Sequence, residues 1–229
     1  MDKKILVVMT NTDHYGDDGE KTGLWLAEAT EFVDKVKRNG IKVNYVSPKG
    51  GKIPLDPRSM KKPYASKKDY QILNSLDFKR RAINNSLKPS DINPDDYIAI
   101  YYTGGHGVLW DFPKNLELKE IAEEIYHNGG YVCSVCHGLV GLLNLKDYND
   151  KYLIDGRNIT GFTDKEEKLG GKENKVPYSS EQEAKYRGAN FVKTLPYTPN
   201  AIKCGRIITG QNPFSGKAVA RELLKALDK

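Results

Sequence analysis

The sequence lacks most features that mark secreted, membrane or disordered proteins. It contains three cysteines among 229 residues, and an odd, small number fits free thiols better than a disulfide framework. No apolar run approaches the roughly 20 residues of a membrane span, and the first run, Ile5–Met9, is too short for a signal peptide. Hydrophobic residues make up 38% of the chain, too many for a disordered protein. These absences predict a cytoplasmic globular protein without a membrane segment.

Charge of one sign is not concentrated anywhere in the chain. There are 36 Lys and Arg residues against 30 Asp and Glu residues, which gives a formal net charge of +6. The densest basic cluster, residues 61–68, contains Pro63, and elsewhere bases alternate with acids, as in Lys114–Glu120. A nucleic-acid surface needs a stripe of cationic side chains, usually with aromatic platforms. The balance therefore predicts a solvated basic surface and disfavours nucleic acid as a partner.

Strand and helix patterns alternate along the chain. The apolar run Ile5–Met9 indicates a strand buried on both faces, Thr22–Val36 has helical spacing, and Ile41–Val46 alternates as a second strand. This is the βαβ unit of a parallel sheet. Further strands are expected at Tyr97–Tyr102, Tyr131–Val135 and Ile207–Gly210, and helices at Ile72–Ile83, Leu116–Tyr126, Ser180–Tyr186 and Ser215–Leu227.

This alternation predicts one α/β domain over residues 1–229, with a doubly wound, mostly parallel sheet sandwiched by helices, as in flavodoxin-like folds. A polar stretch at about 48–75 is expected to be a small inserted excursion, and about 165–188 a loop or helix segment. In such sheets the chemistry lies at the carboxyl ends of the strands.

Cys136 is the first candidate for chemistry. Val135-Cys136-His137-Gly138 follows a predicted buried strand and precedes an apparent helix at Leu139–Leu143. A cysteine in such a tight turn resembles a nucleophile elbow, and free N–H groups at a helix N-terminus would favour its thiolate. The segment predicts a cysteine nucleophile.

Cys133 and Cys136 support three other interpretations. Cys133-Ser-Val-Cys136-His137 matches the pattern of c-type haem attachment, and the two cysteines also match a redox pair or half of a zinc site. Haem attachment needs export, and Cys204 with His106 makes a poor second half of a zinc site. Haem and zinc are therefore disfavoured, and a reversible redox pair stays open.

Two further segments carry candidate residues. Gly104-Gly105-His106-Gly107 follows a predicted strand, and glycines there let a backbone N–H approach a substrate oxygen. Glu28 lies next to Trp25, Leu26 and Ala27 in the first predicted helix, where a desolvated carboxyl could carry a proton at neutral pH. From the pattern alone, a solvent-facing Glu28 is the favoured interpretation, and a plain glycine turn is as good an interpretation as an oxyanion donor.

Taken together, these segments resemble the ThiJ/PfpI superfamily, which has the class I glutamine-amidotransferase-like fold, and within it the glyoxalase III branch with the fungal heat-shock-31-like proteins. Six segments occur in the expected order over nearly the whole chain. They are Asp18–Ala29, Gly104–Gly107 with Asp111–Pro113, Ala122–Tyr126 with Asn128–Gly130, Val135–Gly138, Ile159–Asp164 and Ile208–Pro213.

The resemblance implies roles for individual residues. Cys136 matches the nucleophile, His137 the catalytic histidine, and Glu28 the acid that hydrogen-bonds the thiolate. Glu167 lies where the branch has a third acid supporting the histidine, with Glu166 as the one-residue alternative. Gly105 and His137 would supply oxyanion N–H groups, and His106 and Trp25 would join them around the substrate.

The implied activity is a glutathione-independent conversion of methylglyoxal and related 2-oxoaldehydes to 2-hydroxy acids, with neither metal nor other cofactor. The superfamily also suggests a protein deglycase, a stress-related holdase chaperone or a cysteine-based redox sensor. Peptide hydrolysis is disfavoured, because nothing in the sequence marks a peptide cleft. A homodimer is a further expectation from the resemblance.

Overall fold

A six-stranded sheet organises the computed structural model, which describes residues 4–17 and 19–228. Asp18, the first residue of one motif above, lies outside the described residues. The strand order is β2-β1-β3-β4-β8-β7, and all neighbours run parallel except the antiparallel pair β7 and β8. The strands are β1 Lys4–Val8, β2 Val43–Val46, β3 Tyr97–Tyr102, β4 Tyr131–Val135, β7 Ala201–Cys204 and β8 Ile207–Gly210, with β5 Asn158–Ile159 and β6 Asn190–Phe191 in a separate two-stranded sheet.

Helices cover both faces of the six-stranded sheet, which is why its inner strands are continuous apolar runs. One apolar core packs α1 and α7 against the sheet, and a second core packs α4 against the opposite face. The prediction of a doubly wound, mostly parallel sheet is confirmed. The helices are α1 Leu26–Arg38, α2 Lys67–Leu73, α3 Val108–Asp111, α4 Leu116–His127, α5 Asp164–Leu169, α6 Ser180–Tyr186 and α7 Gly216–Ala226.

Several predicted boundaries differ from the structure. The helix predicted at Ile72–Ile83 is divided: α2 ends at Leu73, and a π-helical segment follows at Phe78–Asn84. Helix α2 begins earlier than expected, at Lys67, because Ser66 and Asp69 form a capping box ahead of the apolar positions.

The first helix starts at Leu26 rather than Thr22. The chain before it is extended: the N–H of Leu24 donates to the carbonyl of Pro54 over 2.8 Å, and Gly23 has φ of +149°. Strand β7 was not predicted, because its four residues are half-exposed at the sheet edge and give no buried apolar run.

The parallel strands bring several segments to one edge of the sheet. The chain leaves β1, β3 and β4 at their carboxyl ends, where Thr10, Thr103 and Cys136 lie. This edge is where open α/β sheets bind ligands. No helix within residues 4–17 and 19–228 has the length and apolarity to cross a bilayer.

Candidate active site

Cys136 lies at a sharp turn immediately after β4. Its φ is +56°, in the left-handed region, and it is the first residue of a 3-10 helix, Cys136–Leu142, in place of the helix predicted at Leu139–Leu143. The turn depends on Gly138, since a Cβ there would lie 2.3 Å from the carbonyl oxygen of Tyr102. A strained strand-to-helix turn of this kind presents a nucleophile at the top of the sheet.

Glu28, in the first turn of α1, faces this turn and is completely buried. Its Oε2 accepts a hydrogen bond of 2.6 Å from the N–H of Gly104, and a Cβ on Gly104 would lie 2.5 Å from the same oxygen. The same position on Gly104 lies 3.1 Å from Cys136 Cβ, so the carboxyl and the cysteine are neighbours, and the buried Oε1 of Glu28 has no hydrogen-bond partner among the described residues. Burial raises the pKa of Glu28 to about 8, so the carboxyl is mostly protonated at neutral pH.

The expectation that a helix N-terminus lowers the pKa of Cys136 is wrong. Burial raises the pKa of this thiol well above its ordinary value, and the negative charge of Glu28 raises it further, although the N–H of His137 acts in the opposite direction. The helix that follows is a short 3-10 helix, whose dipole is too small to offset burial. The thiol and the carboxyl therefore form a coupled pair in which ionisation of both groups at once is strongly disfavoured.

His137 joins the thiol to Glu167. Its Nδ1 lies 3.6 Å from Cys136 Sγ, and its Nε2 lies 2.6 Å from Glu167 Oε2. Burial raises the pKa of Glu167, but the imidazoles of His137 and His106 outweigh it, and the net pKa lies below the ordinary value. Because an ionised carboxylate only accepts hydrogen bonds, His137 carries its proton on Nε2, and its Nδ1 lone pair faces the sulfur.

Glu166, the one-residue alternative to Glu167, has a different environment. Its Oε2 accepts from the hydroxyl and N–H of Thr163 in a capping box, and its Oε1 accepts from the N–H of Tyr197 over 2.7 Å and from the amide of Asn212 over 3.0 Å. Glu166 is thus a buried anchor for the surrounding loops, while Glu167 contacts His137.

Gly105 borders the same space. Its φ is +101°, and a Cβ would lie 2.1 Å from the carbonyl oxygen of Gly23, so only glycine fits. Among the described residues the N–H of Gly105 has no protein acceptor. A backbone N–H left free beside the thiol is what an oxyanion donor requires.

His106 is buried, and both of its ring nitrogens have protein partners. Its Nε2 lies 2.7 Å from Glu167 Oε1, and its Nδ1 lies 2.9 Å from Nη2 of Arg58. Burial and the neighbouring His137 together lower the pKa of His106 to about 4. The ring lines the cavity but offers no free nitrogen to a substrate.

A cavity of about 130 Å³ opens onto these groups. Trp25, expected beside the substrate, forms one wall and contacts Tyr64 edge to face at 4.8 Å between ring centroids. The polar stretch at 48–75 contributes Arg58 and Tyr64 to the lining, and the segment at 165–188 contributes Glu167 and Lys172. The remaining lining residues are Gly105, His106, Cys136, His137, Phe162, Gly170, Tyr197 and Pro213.

The profile of the DJ-1/PfpI family matches residues 22–226. The chain belongs to the DJ-1/PfpI family. It is 35% identical to the glutathione-independent glyoxalase HSP31 of Saccharomyces cerevisiae over 98% of both chains. The fold is similar to the Rapid Encystment Protein of 24 kDa from Francisella tularensis (TM-score 0.93, 34% identity, 98% and 99% covered) and to glyoxalase III from Candida albicans (TM-score 0.86, 32% identity, 98% and 97% covered).

One group of side chains in this DJ-1/PfpI protein has the composition of a metal site. The ligand atoms of His106, His137 and Glu167 lie within 4.8 Å of one another. An ion on His106 Nε2 would place the ring proton on Nδ1, which faces a guanidinium nitrogen that can only donate. The donor set therefore fits a hydrogen-bonded triad better than a metal centre.

Cys133 is fully buried in β4 within the apolar core of this DJ-1/PfpI protein. Burial raises the pKa of its thiol, which makes it a poor metal or redox partner for Cys136. The surroundings favour neither haem attachment nor a zinc pair at these two cysteines.

Sequence reasoning did not identify Arg58, Tyr64, Lys172 or Tyr197 as lining residues of the site. Arg58 and Tyr64 belong to a stretch whose prolines and lysines resemble a solvated loop. The length and polarity of that stretch could have indicated such residues, because a long polar insertion beside a binding edge often covers the site.

Proposed function

We propose that this chain is a glutathione-independent glyoxalase that converts methylglyoxal and related 2-oxoaldehydes to 2-hydroxy acids. The observation that carries the proposal is the position of the Cys136 thiol between a carboxyl that is mostly protonated at neutral pH, Glu28, and an imidazole with its lone pair directed at sulfur, His137. The names of the yeast and Candida relatives support the same activity.

The first step is addition of the Cys136 thiolate to the aldehyde carbon. His137 Nδ1 removes the thiol proton, a C–S bond forms, and the carbonyl oxygen becomes an alkoxide. The His137 imidazolium then returns the proton to that oxygen, which gives a hemithioacetal and a neutral His137. The candidate donor to that oxygen is the free N–H of Gly105, a residue that lines the same cavity as Cys136. The raised pKa of the buried thiol makes such a base necessary.

The second step moves a proton between adjacent carbons. The C1–H of the hemithioacetal lies next to a ketone and is acidic enough for a positioned base. Removal of that proton, for which His137 is the candidate, gives an enediolate. Protonation at C2 by the Glu28 carboxyl, with transfer of the C1 hydroxyl proton to the oxygen on C2, gives a thioester of the 2-hydroxy acid. Transfer of a proton from the His137 imidazolium to the Glu28 carboxylate restores both groups. Water then cleaves the C–S bond and regenerates the thiol. The sum is one 2-oxoaldehyde and one water to one 2-hydroxy acid.

No second thiol is needed, because Cys136 supplies the sulfur that glutathione would otherwise provide. The cavity beside the thiol is small, at about 130 Å³. This supports a small free aldehyde over a glycated protein side chain, the substrate of the deglycase alternative.

The proposal is tested by incubating purified protein with methylglyoxal in the absence of glutathione and measuring lactate. We expect lactate from the wild type and from Cys133→Ala, a matched change at the other buried cysteine, and none above background from Cys136→Ala. Absence of lactate from the wild type, or full activity in Cys136→Ala, overturns the proposal. Suppression of client aggregation by a protein that makes no lactate would instead favour the holdase alternative.

A further inference from the structure

We infer that Arg58 acts as a positioning residue for the glyoxalase reaction by fixing the tautomer of His106, which in turn orients Glu167 and the base His137. This inference deepens the proposed function and rests on it for the role of His137. The juxtaposition that carries it is a guanidinium, two imidazoles and one carboxylate joined in a row behind the nucleophile.

The first link in the row is the contact between Arg58 Nη2 and His106 Nδ1, at 2.9 Å. A guanidinium has only donors and stays protonated. If Nδ1 also carried a proton, two donors would face each other at this distance. The ring must therefore accept at Nδ1 and carry its proton on Nε2.

The second link follows from that tautomer. The Nε2–H of His106 donates to Glu167 Oε1 over 2.7 Å, which occupies one carboxylate oxygen. The other oxygen, Oε2, is then left for the Nε2–H of His137, at 2.6 Å. With both oxygens engaged the carboxylate cannot rotate, and His137 keeps its lone pair toward Cys136 Sγ.

Arg58 is itself held by Asp56. Its Nε donates to Asp56 Oδ1 over 3.1 Å and its Nη2 to Asp56 Oδ2 over 2.8 Å. Asp56 is fully buried and also accepts from the hydroxyl of Thr22 over 3.0 Å. Nη2 also contacts the hydroxyl of Tyr15, so its two hydrogens are shared among three neighbours. The guanidinium is therefore fixed with Nη2 against the imidazole, and a nitrogen that can only donate always faces Nδ1.

The other tautomer would disrupt the row. With the proton on Nδ1, His106 Nε2 would present a lone pair to Glu167 Oε1 at 2.7 Å, and two acceptors would repel each other. The carboxylate would have to turn or take up a proton, and His137 would lose the acceptor that fixes its own tautomer. Burial and the Arg58 guanidinium keep His106 uncharged, so a doubly protonated ring does not supply the missing donor.

Arg58 also lines the cavity, so direct binding of the substrate is the competing explanation. A double-mutant cycle separates the two. Arg58→Met removes the donor to Nδ1, and His106→Gln puts near Nε2 an amide nitrogen that always carries hydrogens and can donate to Glu167 without Arg58. We therefore expect Arg58→Met to lower kcat strongly in the wild-type background and much less in the His106→Gln background.

The cycle is measured as kcat and KM for lactate formation from methylglyoxal. Arg58→Met alone should lower kcat about 30-fold with KM changed less than about threefold, within the range of a misoriented general base. His106→Gln should lose about tenfold, and the double variant should lie within about threefold of His106→Gln. A double variant whose loss equals the product of the single losses, or whose KM rises tenfold, overturns the inference.

The tautomer is tested without any activity. Protein labelled with ¹⁵N-histidine should show His106 in NMR correlation spectra with its proton on Nε2 and a bare Nδ1. A proton on Nδ1 in the wild type overturns the inference, whether or not the Arg58 variant folds. Because this spectrum needs no turnover, it separates failure of the positioning role from failure of the glyoxalase activity, which absence of lactate from the wild type would report.

Discussion

Replacement of Glu28 by glutamine tests the most unusual property of the site, a buried carboxyl that is mostly protonated at neutral pH. Glutamine has nearly the same shape, and its amide oxygen can keep accepting from the N–H of Gly104, now 2.6 Å from Oε2. It can neither release nor take up a proton. The change therefore removes the titration of Glu28 and leaves its packing in place.

The effect on stability follows from the pKa of Glu28, which burial raises from 4.5 to about 8. Between these pH values the folded protein keeps a proton that the unfolded chain has lost. Its contribution to the free energy of unfolding is fully present below pH 4.5 and is lost as the pH rises to 8. One pH unit corresponds to about 1.4 kcal/mol, so the interval amounts to about 5 kcal/mol.

Glu28→Gln should therefore gain stability relative to the wild type by about 1.4 kcal/mol for each pH unit between 5 and 8. Urea unfolding at several pH values measures this difference. Titration of Cys136 does not contribute to this pH dependence, because a thiol titrates above this interval in both the unfolded chain and the buried site. Glu117→Gln, an exposed residue in the first turn of α4, is the matched control and should follow the wild type.

The same variant should lose about 100-fold to 10,000-fold in kcat/KM for methylglyoxal, the range for a general acid or base. In the wild type, kcat/KM should fall above about pH 8 as Glu28 loses its proton. Parallel stability profiles for Glu28→Gln and the wild type between pH 5 and 8 would refute the assignment of a protonated carboxyl. Wild-type activity in the variant would refute its catalytic role.

Three further changes test neighbouring features. Glu167→Gln should lower kcat about 100-fold, because an amide lacks the charge that holds His137, and steady-state lactate assays measure the loss; unchanged kcat would contradict it. Gly138→Ala should destabilise the fold by about 2–3 kcal/mol in urea unfolding, since its Cβ would lie 2.3 Å from Tyr102 O. The control Gly129→Ala, at an open turn with φ of +88°, should cost about 1 kcal/mol. Equal losses in the two variants would count against a clash at Gly138. Burial raises the pKa of Asp111 from 3.8 to about 6, so Asp111→Asn should gain stability over the wild type as the pH rises from 4 to 6. A difference in the free energy of unfolding that stays constant over this range would contradict the raised pKa.

The sheet could be predicted from the sequence because its inner strands are buried on both faces and read as continuous apolar runs. The same logic placed Cys136 at a strand end. Strand β7 left no such signal, since it is a half-exposed edge strand. The helix at 72–83 was misplaced because the capping residues, Ser66 and Asp69, lie ahead of the apolar positions.

The site could be predicted only where its residues adjoin the predicted turns. Glu28 has the spacing of an ordinary amphipathic helix residue, and only the family resemblance distinguished it. The link from Arg58 through His106 to Glu167 joins side chains 48 and 61 positions apart in sequence, respectively, so no local pattern reveals it. The pKa of Cys136 was misjudged for the same reason, since burial and the charge of Glu28 arise only on folding.

The most direct test of the glyoxalase mechanism is the reaction of methylglyoxal in D₂O without glutathione, followed by NMR of the lactate. Two groups handle the proton in this site, His137 at C1 and Glu28 at C2, and the proton on each exchanges with solvent. Lactate with deuterium at C2 is the result we predict. Lactate with hydrogen retained at C2, as a direct hydride shift would give, or no lactate at all, would contradict the mechanism.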